Sequence, residues 1–140
     1  MAICGVDNNP ARIAAARYFS SLKITVIFTA VSADADHGYV FVQEATGPCL
    51  GCLFPDAVDR RTHACPATPA IADILQAVGA LTVYAVDTCL MGRPRKWNYR
   101  GIYLSDWEWD TGALIEVRGD CTLMTPHYSA GWEWPQFGSN

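Results

Sequence analysis

Apolar and polar positions fall in blocks along this chain, and the blocks outline an α/β order. Residues 2–6 form a short apolar run that stops at Asp7-Asn8-Asn9-Pro10, which predicts a buried strand and then a polar corner. Asn9 suits the cap of the following helix and Pro10 its first position. From Pro10 to about Leu22, Ile13, Ala16, Arg17 and Phe19 recur at helical spacing among alanines that favour helix. Residues 24–30 (Ile-Thr-Val-Ile-Phe-Thr-Ala) are β-branched and nearly all apolar, the pattern of a strand covered on both faces as in a parallel sheet. Strand, helix and strand within this length predict a βαβ unit.

Further along, residues 32–38 read as a solvated loop containing Asp34, Asp36 and His37, and Tyr39 to Glu44 as another strand. Asp56 to Ala67 is polar and poor in pattern, and reads as a long crossover. Thr68-Pro69 then opens a helix that runs to about Met91 before Gly92. That helix is apolar almost all round, which predicts burial on several sides, in the domain core or at a subunit interface. Trp97 to Leu104 and Ala113 to Val117 alternate as antiparallel strands, with Asp110-Thr111-Gly112 as their turn. Residues 1–127 read as one domain, and residues 128–140 as an aromatic tail carrying Trp132, Trp134 and Phe137 among Gly, Pro and Ser.

Composition narrows the class. Half of the 140 residues are apolar, 17% are charged and the net charge is −4, so the chain holds a real core. The only basic cluster is Arg93-Pro94-Arg95-Lys96, which argues against nucleic acid as a partner. No basic segment followed by an apolar run opens the chain, so no signal peptide is expected and a cytoplasmic location follows. The stretch from Ile71 to Met91 carries Asp73, Gln76 and Asp87. It reads as a soluble helix, with no membrane partner. Six cysteines without a secretory signal point to metal or thiol chemistry before disulfides.

The candidate chemistry centres on Gly47-Pro48-Cys49-Leu50-Gly51-Cys52-Leu53-Phe54-Pro55. Two cysteines at C-x-x-C spacing can turn both thiolates toward one metal ion, and they can also be small buried hydrophobes. Cys121 is the natural third ligand, since it follows the last predicted strand. His127 and His63 are open choices for the fourth, whereas Met124, at the second C-x-x-C position, offers only a thioether. Cys65 lies in the crossover beside Arg60, Arg61 and His63, positive charge that would activate a thiol; a plain loop cysteine is the alternative. Cys4 and Cys89 read as core packing. Asp7 and Asn8 sit where an open α/β sheet binds ligands, beyond the carboxyl end of a strand, and a carboxylate there can hold Mg²⁺ with a nucleotide phosphate. A helix-capping turn explains the same residues.

The cysteine loop resembles the "G-P-C-Y-R-C-L-F-P" segment of the ThiF/MoeB/HesA adenylyltransferases, relatives of ubiquitin-activating enzymes, almost residue for residue. Val6-Asp7-Asn8 with Arg12 resembles the family's strand-end Asp-Asn and downstream arginine. Residues 24–30 and His37-Gly38-Tyr39-Val40-Phe41-Val42 resemble its next two strands, and Cys65 with the long helix resembles its crossover cysteine and helix. The resemblance covers roughly residues 3–121 and implies the C-terminal half of a Rossmann-like three-layer domain, without the Gly-rich nucleotide loop of the N-terminal half. It implies Mg-ATP held by Asp7, with Asn8 and Arg12 beside the nucleotide, structural zinc on Cys49 and Cys52, and Cys65 as a covalent acceptor. It also implies a ubiquitin-like or sulfur-carrier protein whose C-terminus is activated. A chain that lacks half the site would not adenylate alone, and an uncovered sheet edge predicts a homodimer or a partner supplying the missing half. Two non-enzymatic readings stand beside this one: a binding or dimerisation module for a ubiquitin-like carrier, and a small zinc-stabilised structural protein.

Overall fold

A computed structural model describes residues 1–32, 34–55, 72–104, 112–121 and 123. The crossover with His63 and Cys65, the start of the long helix at Thr68-Pro69, the residues Asp110 and Thr111, and Met124, His127 and the aromatic tail lie outside the described residues.

The elements run β1 (Ala2–Cys4), α1 (Asn9–Ser21), β2 (Val26–Val31), β3 (His37–Gln43), α2 (Leu50–Leu53), α3 (Ala72–Leu90) and β4 (Tyr99–Tyr103). They form one four-stranded mixed sheet in the order β1-β2-β3-β4. β1 and β2 are parallel, in register Ala2 with Val26 and Cys4 with Phe28, which completes the expected βαβ unit around α1. β3 turns back antiparallel to β2, pairing Gln43 with Val26 and Gly38 with Val31. β4 is antiparallel to β3, with Tyr99 opposite Phe41.

Period-2 alternation in the strands builds two cores, one on each face. Val26, Phe28 and Phe41 point to the face covered by α1 and the cysteine loop, where Ala16 is fully buried and Ile13 and Phe19 pack around it. Ile27, Val40, Val42 and Ile102 point the other way, onto Ile74, Val78 and Ala85 of α3. The arrangement is helix, sheet, helix, consistent with part of a Rossmann-like domain. Val26, Ile27 and Phe28 are all fully buried, because β2 lies between its neighbours and beneath both helical layers. Gly38 permits the close seat of α3: a Cβ there would come within 2.6 Å of Val78 Cγ2 and 2.8 Å of the Ala30 carbonyl oxygen.

Four sequence expectations need correction. The cap of α1 is Asn8, not Asn9: Asn8 Oδ1 accepts from the Ala11 amide at 2.9 Å, and Pro10 falls one position into the helix. The first strand is buried only in part. β1 lies at the sheet edge and Ile3 is 57% exposed, since no described element covers that side. The long helix buries only Ile74, Val78, Ala85 and Thr88 along one stripe, where it meets the sheet. Leu75, Val83 and Leu90 are exposed, and Tyr84 is half exposed with its ring stacked on Trp97. By length and composition α3 would also suffice to cross a membrane. Finally, Ala113 to Val117 is no strand. Ala113 makes one bridge to Tyr99, and the Asn98 side chain then takes the place of a ladder, donating to the Ile115 carbonyl at 2.8 Å and accepting from its amide at 2.7 Å.

Both long helices stop in the same hydrogen-bond pattern. After α3, Gly92 (φ 61°) lets the Arg93 amide reach the Thr88 carbonyl oxygen. After α1 the equivalent left-handed position is Lys23 (φ 54°), with the Lys23 amide on Ser20 and the Ile24 amide on Phe19. A β-carbon in that region costs roughly 1–2 kcal/mol, which glycine avoids. Replacing Lys23 with Gly should therefore raise unfolding free energy by about 1 kcal/mol, measurable as a higher urea midpoint at unchanged slope.

Candidate metal centre

The cysteine loop leaves β3 at Gln43 and returns as α2, a single turn with Cys49 at its cap position. Gln43 is almost fully buried in an otherwise apolar strand, on the inward face shared with Tyr39 and Phe41. Its Oε1 accepts from the Leu50 amide at 3.0 Å and its Nε2 donates to the Ala16 carbonyl at 3.0 Å. One side chain thus satisfies an amide at the start of α2, where no intrahelical partner exists, and ties the loop to α1. Cys49 and Cys52 are both buried, and the Cys52 amide bonds the Cys49 carbonyl at 2.9 Å, closing the turn that aims both side chains inward.

Cys121 arrives from the other end of the described chain. Its sulfur lies 3.3 Å from Cys49 Sγ, and Cys49 Sγ lies 3.8 Å from Cys52 Sγ. All three sulfurs fall within 4.8 Å of one another. A tetrahedral zinc with sulfurs at about 2.3 Å would place its ligands about 3.8 Å apart, so the three thiols fit such an ion with small adjustments. Gly51 keeps the space clear. A Cβ on it would stand 2.7 Å from Leu123 Cβ and 3.2 Å from Cys121 Sγ. The donor set is soft and sulfur-only, which suits zinc better than magnesium or calcium. The suggested fourth ligands, His63 and His127, are outside the described residues, as is Met124.

The thiols differ in character. Burial pushes the Cys49 thiol up to about 12, and its hydrogen bond with Cys121 acts in the same direction. Burial also opposes ionisation of Cys52, but hydrogen bonds from the Arg118 and Cys49 backbone, together with those from the Cys121 and Cys49 thiols, outweigh it and hold that thiol below its ordinary value. The Arg118 amide approaches Cys52 Sγ at 3.5 Å. Without a metal the neutral Cys49 thiol stabilises the fold below the unfolded value near 9, and this contribution is lost as pH rises toward 12. A bound cation reverses the preference, since it takes the thiolate and expels the proton.

The other candidate residues do not join this centre. Asp7 is exposed at the end of β1, and its Oδ1 accepts from Asn8 Nδ2 at 3.1 Å. Asn8 is occupied as the helix cap. Arg12 donates from Nη1 to Asn9 Oδ1 at 3.0 Å, while its Nε is buried without a partner among the described residues. Cys4 and Cys89 pack in the two cores, as expected, and Cys89 also accepts from Arg95 Nη1 at 3.0 Å. Sequence reasoning missed Gln43. The available signal was a polar residue at an inward position of an apolar strand.

Fold and site together define a mixed α/β domain in which a C-x-x-C loop and a distant cysteine converge beside the sheet. The solved structures similar to it include E. coli MccB. The crystal structure of that protein with selenomethionine MccA matches with a TM-score of 0.64 at 14% identity, covering 86% of this chain and 38% of MccB. The MccB structure with succinimide matches at a TM-score of 0.62 and 14% identity over the same shares. The likeness is one of fold, and the chain spans little more than a third of the neighbour's length. No family model and no curated protein matches the chain.

Two substitutions probe the centre. Cys121→Ser should abolish stoichiometric zinc in protein purified with the metal, read by atomic emission, and wild-type zinc affinity should rise from about pH 6 to pH 8, because binding releases thiol protons and a lower proton concentration favours that release. Gln43→Ala should lower unfolding free energy by roughly 2–3 kcal/mol in urea titrations, because the Leu50 amide and the Ala16 carbonyl are left buried and unpaired.

Proposed function

We propose that this chain is an adenylyltransferase-like domain of the ThiF/MoeB/HesA type, related to enzymes that activate the C-terminus of a ubiquitin-like or sulfur-carrier protein. The observation that carries the reading is the convergence of Cys49, Cys52 and Cys121 in a loop whose sequence resembles that family's. The fold shared with E. coli MccB fits the same superfamily and carries no finer assignment. The three cysteines would hold a structural zinc that fastens the loop to the residues after β4. Asp7 and Asn8 at the end of β1, with Arg12 on α1, would face Mg-ATP, which supplies the adenylyl group when bound. Cys65 would serve as covalent acceptor. The carrier's C-terminal carboxylate would attack the α-phosphate of ATP with loss of pyrophosphate, positive charge near the phosphates would stabilise the charge that develops, and the Cys65 thiolate would then displace AMP to give a thioester. The edge at β1, unpaired among the described residues, is where a second copy, or a chain supplying the other half of the nucleotide site, would pair.

One observation favours a second reading, a zinc-stabilised binding module without catalysis. Helix N-termini bind phosphate through free amides, but at α1 Pro10 has none, the Ala11 amide is spent on Asn8 Oδ1 and the Arg12 amide on the Asn8 carbonyl. Calorimetric titration of the purified chain with Mg-ATP separates the two. The adenylyltransferase reading expects saturable binding that weakens at least about tenfold in Asp7→Ala. An absence of heat at millimolar nucleotide, with zinc still bound, would overturn it in favour of the binding module.

A further inference from the structure

A cleft of about 260 Å³ opens at the end of the sheet away from Asp7, lined by Glu44, Pro48, Arg93, Arg95, Trp97 and Leu114 among others. The register fixes its place. Gln43, next to Glu44, pairs with Val26 at the start of β2, whereas Asp7 follows Cys4, which pairs with Phe28 further along. Arg95 dominates the cleft. Its side chain is 8% exposed, and its Nη1 donates to Cys89 Sγ at 3.0 Å and Thr88 Oγ1 at 3.5 Å in the last turn of α3. Nη2 donates to Glu44 Oε1 at 2.6 Å. Nε is buried and has no partner among the described residues.

Nε and Nη2 lie on one edge of a guanidinium, the edge that grips a carboxylate with two parallel hydrogen bonds. Here Glu44 takes only half of it. Arg12 Nε is likewise buried without a partner among the described residues, but at Arg95 such a donor stands in a cleft beside an exposed carboxylate, and an unmade buried hydrogen bond is costly. The Glu44 side chain is 61% exposed and so is displaced at little cost. We infer that the cleft binds the carboxylate of a short apolar peptide, which displaces Glu44 and engages Nε and Nη2 of Arg95 together, with Arg93 adding positive charge at the mouth. Pro48, Trp97 and Leu114 supply the apolar wall. A phosphate dianion suits the place less well. It brings twice the negative charge toward the negative end of α3, and its tetrahedral oxygens match the planar edge less closely. The volume, under the roughly 300–1,000 Å³ of sites for drug-sized ligands, admits one or two residues. The carboxylate is either a chain terminus or an acidic side chain.

Calorimetry on the full chain tests this with N-acetyl-Ala-Leu as free acid, the same dipeptide as its amide, N-acetyl-Asp-amide and inorganic phosphate. The free acid should bind at least about tenfold more tightly than its amide, and phosphate no better than the amide. Whether N-acetyl-Asp-amide matches the free acid distinguishes a side chain from a terminus as source, provided one of the two acids exceeds the neutral amide. Glu44→Gln, an exposed change that spares the fold, should tighten the acids several-fold by removing the competing carboxylate, and Arg95→Lys should abolish the preference for acid over amide. Equal binding of acid and amide, equal or tighter binding of phosphate, weaker acid binding in Glu44→Gln, or no binding to either protein at about 10 mM ligand would overturn the proposal.

Discussion

The structure turns on the buried amide of Gln43. It is the buried polar side chain of β3, and both of its ends are engaged, one on the first amide of α2 and the other on a carbonyl of α1. Apolar burial can hold α1 against the sheet, but it is non-directional and cannot set the angle at which the loop leaves β3. A hydrogen-bonded amide can. The positions of Cys49 and Cys52 follow from it, and with them the point to which Cys121 must come. In a low-dielectric interior such a group is stabilising only when fully satisfied, so the loop and α1 are held to a single arrangement.

A second consequence is a division of labour between the two faces of the sheet. The α1 face carries the thiols, Gln43 and the aromatic contacts of Tyr39 with Phe54 and Tyr99. The opposite face is aliphatic apart from Trp97 and receives α3, whose last turn is tied to Glu44 at the end of β3 through Arg95. The cysteine loop runs between the two, since Glu44 and Pro48 border the cleft while Cys49 and Cys52 face the other core. A change at the metal centre would therefore reach the cleft through only a few residues of backbone, and the reverse holds as well.

Much of the fold was legible because it rests on local rules. A β-branched, nearly all-apolar run placed β2, alanine-rich helical spacing placed α1, and Gly92 marked the end of α3 because only glycine enters the left-handed region without penalty. Lys23 holds the same conformation after α1 with a side chain that advertises nothing, so that ending was legible only from the loss of pattern. The cap at Asn8 was misassigned by one residue, because Asn8 and Asn9 are equally able caps and the choice depends on where β1 releases the chain. The predicted strand at Ala113 to Val117 fails for a reason outside its own sequence: Asn98, just before β4, satisfies the Ile115 backbone with its side chain.

The amino-acid sequence by itself determined the order of elements, the two-faced core and the C-x-x-C loop, because these follow from periodicity and from spacing within a few residues. Tertiary structure alone decided the rest. It turned β3 antiparallel, left one side of α3 uncovered among the described residues, and brought Cys121 within 3.3 Å of a cysteine 72 positions earlier. It also set Arg95, an ordinary member of a basic cluster in the sequence, into a buried position with one donor unpartnered among the described residues. Contacts at such separations depend on how whole elements pack, and packing is a property of the assembled surfaces rather than of any local run of residues.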